Sequence, residues 1–136
     1  MVVNASKQKA KTLKKPAKDV VLEWFSKKQW VPFPFQKKTW SAHAKGESGL
    51  IHAPTGTGKT YAAWAGPLIE WMDELGNKSM PKRPPELRVL WITPLRALVK
   101  DTTHSLRTLV EDLQLPWSVE ERTGDTTGSI KAKQRK

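Results

Sequence analysis

The chain has 136 residues and a formal net charge of +11, from 24 Lys and Arg against 13 Asp and Glu, and it contains no cysteine. That length allows one domain with a real core but is short for a nucleotide-driven motor, and the missing cysteines exclude a disulfide framework and a thiolate metal site. The basic balance suits a polyanionic partner (nucleic acid, anionic membrane or nucleotide) or simply a soluble basic surface. His43, His52 and His104 have no metal-ligand spacing. No apolar run approaches the ~20 residues that cross a bilayer, and the N-terminus lacks the apolar segment of a secretory signal. The expectation is an intracellular, cytoplasmic protein with no membrane partner.

Residues 1–18 carry Lys7, Lys9, Lys11, Lys14, Lys15 and Lys18 and no acid. With few apolar residues to drive folding, they read as a disordered basic tail, either touching nucleic-acid phosphates or merely solvated. From Asp19, a plausible cap, Val20, Val21, Trp24 and Phe25 fall on one face of a helix that ends near Gln29. Trp30 to Phe35 contains Pro32 and Pro34 and is expected to be extended. A second helix follows over Gln36–Ala44, ended by Gly46. Gly49 to Ala53 is a short apolar strand, and a helix is expected from Lys59 to Glu74, with Pro67 kinking or restarting it. Gly76 to Glu86, with three prolines, is a surface loop.

Leu87 to Ile92 is apolar enough for a second, largely buried strand. Thr93 as cap and Pro94 in the first turn open a helix to about Leu113, with Leu95, Leu98, Leu106, Leu109 and Leu113 on its buried side. Pro116 breaks that helix. Trp117 to Arg122 is a third strand, Thr123 to Asp125 a turn, and Ile130 to Lys136 a basic end. Strand–helix–strand–helix–strand is the order of an α/β fold with a parallel sheet and right-handed crossovers. Most of the seven tryptophans are expected in the core.

Residues 53–60 read Ala-Pro-Thr-Gly-Thr-Gly-Lys-Thr, a phosphate-binding loop. Thr55, Gly56, Thr57, Gly58, Lys59 and Thr60 would surround a nucleoside triphosphate. Gly56 and Gly58 let successive backbone N–H groups converge on one anion. Lys59 can reach the β- and γ-phosphates, and the Thr60 hydroxyl can bind Mg2+. Ala53 stands where the general motif has its first glycine. The loop alone fits ATPases of many kinds.

Its neighbours are more specific. Phe35-Gln36 upstream resembles the Q motif of superfamily 2 helicases, Ile92-Thr-Pro-Leu-Arg-Ala-Leu98 resembles motif Ia, and Thr123-Gly-Asp-Thr126 resembles the T-G-D motif. Trp30-x-Pro-Phe-Pro-Phe-Gln36 and the run Gly49-Leu-Ile-His into the phosphate loop resemble the large helicase-related (Lhr-type) proteins, in particular the bacterial ligase-associated DEXH-box helicases, over about residues 20–136. The resemblance implies a RecA-like P-loop domain in an ATP-dependent DNA helicase. It further implies a role in DNA repair, ATP and Mg2+ as cofactors, DNA, DNA ligase and a nuclease as partners, and 3′-to-5′ movement.

By the same resemblance, Gln36 would bond the adenine edge, for which a carboxamide both donates and accepts; its other reading is a helix-capping glutamine. An aromatic residue would pack on the base, with Phe25, Trp30 and Phe33 as unranked candidates. Thr93, Pro94 and Arg96, together with Thr123 and Gly124, would lie along one nucleic-acid strand and contact its backbone without reading sequence.

Such an ATPase also uses a D-E-x-H motif to orient magnesium and activate water. None occurs here, and Asp125 is the last acidic residue. Residues 19–136 are therefore expected to be the front of a first helicase domain, cut before that motif, poorly stable alone and without ATPase activity. The alternatives are a non-catalytic nucleotide or nucleic-acid binding module and a small kinase. The Q-like and T-G-D segments argue against the kinase.

Overall fold

A computed structural model describes residues 15–134. The lysine-rich tail expected over 1–18 therefore lies outside the described residues up to position 14. The chain divides into two compact units, one up to Arg83 and one from Pro84. The boundary falls within the proline-rich loop expected over Gly76–Glu86.

The first unit holds α1 (Ala17–Lys27), α2 (Pro34–Ala44) and α3 (Lys59–Leu75). Helix α1 begins two residues before the expected Asp19. Asp19 lies in the first turn, where its charge still complements the helix dipole, and is not the cap. The Ala17 N–H instead donates to Asp73 Oδ1 of α3 at 3.3 Å. Lys15 pairs with Glu23, eight residues further on, and holds that carboxyl below the usual carboxylate range. Helix α1 ends in a Schellman motif: Trp30 N–H reaches Phe25 O and Gln29 N–H reaches Ser26 O, both at 2.9 Å. This requires Gln29 at φ 60°, a left-handed conformation usually left to glycine.

Helix α2 also starts earlier than expected. Pro34 sits at its first position, where the missing N–H costs no helical bond, so Pro34 and Phe35 are helical. Only the segment up to Phe33 is extended. Helix α3 runs unbroken through Pro67, so the ring does not restart it.

Both α1 and α2 pack on α3. The core is largely aromatic. Trp24, Phe25, Trp40, Trp64 and Trp71 are buried with Val21, Leu68, Ile69 and Met72. Trp24 meets Tyr61 edge-on at 5.2 Å and Phe25 meets Trp40 at 5.7 Å, the offset geometries aromatic quadrupoles favour. The buried indole of Trp40 donates to Tyr61 O at 3.2 Å, which pins α2 to the first turn of α3. At Gly66 a Cβ would stand 3.0 Å from the His43 ring, so a glycine lets α2 and α3 approach there. Four of the seven tryptophans are buried, all in this unit, which agrees with their expected use as packing residues.

The second unit holds α4 (Arg96–Asp112) and α5 (Gly128–Lys133). Leu95 is the N-cap of α4, so Thr93 is not its cap and Pro94 lies outside it. Leu106, Leu109, Val110 and Thr103 are buried, whereas Leu95 and Leu98, expected inside, are 59% and 46% exposed. Gln114 at φ 54° closes α4 with a second Schellman motif. Arg107 donates from Nε and Nη2 to Val119 O at 3.0 and 2.8 Å, tying the segment after Pro116 to the helix. Helix α5 forms where only a basic end was expected.

The expected sheet is the main correction. Among the described residues 49–53, 87–92 and 117–122 are irregular and carry no strand. Leu50, Leu87, Leu90 and Ile92 are 92%, 86%, 76% and 82% exposed. Strand propensity describes fit to a pleated, half-buried surface, and without ladder partners those apolar residues gain nothing from an extended strand. Among the described residues, no helix is long and apolar enough to cross a membrane.

Candidate nucleotide and nucleic-acid sites

The phosphate loop runs into the N-terminus of α3, with Gly58 as the N-cap at φ 82° and Gly56 at φ 80°. Both values are left-handed, so the two glycines are conformationally required. The ladder of α3 begins with Ala62 N–H on Gly58 O at 3.1 Å. The amides of Lys59 and Thr60 precede that bond and lie where helix dipole and backbone donors together favour an anion. The Thr57 hydroxyl donates to Pro54 O at 2.7 Å and closes the turn on itself. The Lys59 ammonium folds back onto the loop, donating to Ala53 O at 2.6 Å and Pro54 O at 2.8 Å. A phosphate chain entering the loop would exchange these neutral carbonyls for charged oxygens, a stronger pairing for an ammonium. Thr60, half-buried in the first turn, offers one hydroxyl of the kind magnesium takes.

Gln36 is only 2% exposed. Its Oε1 accepts the Phe33 N–H at 2.8 Å and its Nε2 donates to Gly58 O at 3.0 Å. The first bond caps α2, as half of a capping box. The second clasps the start of α2 to the hinge between phosphate loop and α3. Both functional ends of the carboxamide thus face protein, as the capping reading expects. Of the aromatic candidates for the base, Phe25 is 3% exposed, in T-shaped contact with Trp24 and Tyr61, and offers no open face. Trp30 and Phe33 are 47% and 51% exposed.

In the second unit, Arg96, Thr123 and Gly124 come together. Arg96 opens α4 and its Nη1 donates to Asp125 Oδ2 at 2.8 Å. Its Nη2 lies across Gly124, 2.9 Å from where a Cβ would be. The turn is fixed by Thr126, whose Oγ1 accepts the Thr123 N–H at 2.8 Å while its own N–H donates to Thr123 O at 3.2 Å. Thr93 and Pro94 precede α4 in irregular chain, half-buried and exposed respectively. Asp125 is the residue that reading the motif by type alone missed. An acid one position beyond Gly124, in a motif matched with a lone arginine, was the available signal.

Residues 33–136, more than half of the chain, match the family of DEAD/DEAH box helicases. The chain belongs to that family. Its relatives include an Lhr helicase/probable uracil glycosylase of Mycolicibacterium smegmatis, 41% identical over 63% of this chain and 5% of that protein. They include the ATP-dependent helicase Lhr-Core of Sulfolobus acidocaldarius, 35% identical over 85% of this chain and 14% of that protein. Nucleolar RNA helicase 2-A of Xenopus laevis is 35% identical over 61% of this chain and 10% of that protein. The chain thus spans between 5% and 14% of the length of these relatives. No solved structure matches it. For a DEAD/DEAH box helicase, the matched region implies a RecA-like P-loop fold. The described residues display its phosphate loop and helices but no sheet.

Proposed function

We propose that residues 19–136 form the nucleotide-binding front of an Lhr-type ATP-dependent DNA helicase of DNA repair, one working beside ligase and nuclease partners. The observation that carries the reading is the loop at 53–60: two glycines at positive φ deliver Lys59 and Thr60 to the N-terminus of a 17-residue helix. Lys59 would hold the β- and γ-phosphates, Thr60 would hold Mg2+, and Thr55 to Gly58 would wrap the phosphate chain with backbone donors. Magnesium supplies charge neutralisation between the phosphates when bound. Arg96, Thr123 and Gly124, with Thr93 and Pro94 upstream, would grip one strand through its phosphates.

In the 136-residue chain itself we expect binding without turnover. Residues 1–136 contain no D-E-x-H to orient magnesium and activate water, and the second reading is a non-catalytic binding module. Phosphate release by the purified chain, with and without single-stranded DNA, should stay at the background set by Lys59→Ala. DNA-stimulated hydrolysis that Lys59→Ala abolishes would overturn this.

A further inference from the structure

Arg96 is a basic side chain that the second unit brings onto the Thr123–Thr126 turn, and it is not free there. Its Nη1 donates to Asp125 Oδ2 at 2.8 Å, with side-chain exposures of 70% and 77%. The guanidinium crosses Gly124, so the missing Cβ is what allows it to reach the carboxylate. The Thr123–Thr126 bonds hold the turn so that Asp125 faces α4. Within this pair the charge of the guanidinium is therefore offset by the carboxylate.

We propose that Asp125 sets the nucleic-acid affinity of this surface by occupying Arg96: a strand phosphate must take the place of the carboxylate on the guanidinium. Carboxylate and phosphate compete for the same fork of donors, which pairs with either in the same way. An exposed ion pair is weak enough to be displaced, since water and salt screen it. Breaking it costs a binding strand about the worth of one exposed ion pair. The exchange also makes the turn responsive to occupancy, because releasing Asp125 removes the bond that draws residues 123–126 to α4. The inference rests on the reading that Arg96 takes a strand phosphate.

Binding of a fluorescein-labelled oligothymidylate to the 136-residue chain, titrated at several salt concentrations, tests it. Asp125→Asn keeps the size of the side chain and removes its charge. We expect binding about three-fold tighter, the scale of one exposed ion pair. The log-affinity against log-salt slope should change by less than the about 0.7 of one single-strand phosphate contact, because Arg96 meets a phosphate in both proteins. The same substitution in an Arg96→Ala background should change nothing. A gain that persists there would be a non-specific charge effect and would overturn the proposal, as would unchanged binding by Asp125→Asn alone while Arg96→Ala weakens binding. If Arg96→Ala binds like the parent, the phosphate role of Arg96 fails first and the proposal falls with it. Matching far-UV circular dichroism of all four proteins separates these outcomes from misfolding.

Discussion

Gly58→Ala is expected to lower the melting midpoint by roughly 10–20 °C, the scale of about 3 kcal/mol in a small unit. Two costs combine. At φ 82° an alanine pays the left-handed penalty of about 1–2 kcal/mol. Its Cβ would also stand 2.7 Å from Gln36 Nε2. A free side chain would swing away cheaply, but Gln36 is 2% exposed and held at both ends of its carboxamide. Moving it breaks two part-buried hydrogen bonds, about 1 kcal/mol each. Nucleotide binding should be lost as well, because the same hinge sets the direction of the Lys59 and Thr60 amides. Differential scanning fluorimetry of the variant, without and with ATP, checks both effects. A midpoint within 3 °C of the parent would mean that the clasp is not tight.

Gln36→Ala should destabilise the nucleotide-free chain by about 2–3 kcal/mol, combining a small cavity with a part-buried Phe33 N–H left without its partner. It should also weaken ATP and GTP to a similar degree, because the loop that holds phosphates common to both loses its anchor. A side chain whose only task is the adenine edge predicts the opposite pattern: unchanged stability without nucleotide and loss confined to ATP. Chemical denaturation together with parallel ATP and GTP titrations distinguishes the two. An intact nucleotide-free stability with a selective ATP defect would assign adenine recognition to Gln36.

These two residues mark how far the sequence could be read. The phosphate loop was legible because its chemistry is local: glycine conformation, a lysine and a threonine at fixed spacing. Helix α1 is legible because its apolar face repeats with helical period, whereas Pro34, which suggests an extended segment, stands at the start of α2 and initiates it. The clasp between Gln36 and Gly58 joins residues 22 apart, and no local rule specifies such a pairing. The sheet fails for the same reason in reverse. Leu50 and Leu87 to Ile92 have strand composition, but a strand is completed only by partners that composition does not supply. Helix α5 was hidden by its length of 6 residues and its basic composition. Asp125 was hidden because its meaning depends on Arg96, 29 positions away.

The central claim is that the loop at 53–60 holds a nucleoside triphosphate through Lys59. Equilibrium titration of Mg2+·ATP into the parent chain and into Lys59→Ala addresses it most directly. Lys59 reaches Ala53 O and Pro54 O in the free loop and would turn to the phosphates on binding. Saturable binding that weakens at least about ten-fold in Lys59→Ala, the loss of a charge-assisted contact of roughly 1.4 kcal/mol or more, is the result predicted. Equal affinity in the two proteins, or no saturable binding by a folded parent chain, would contradict it.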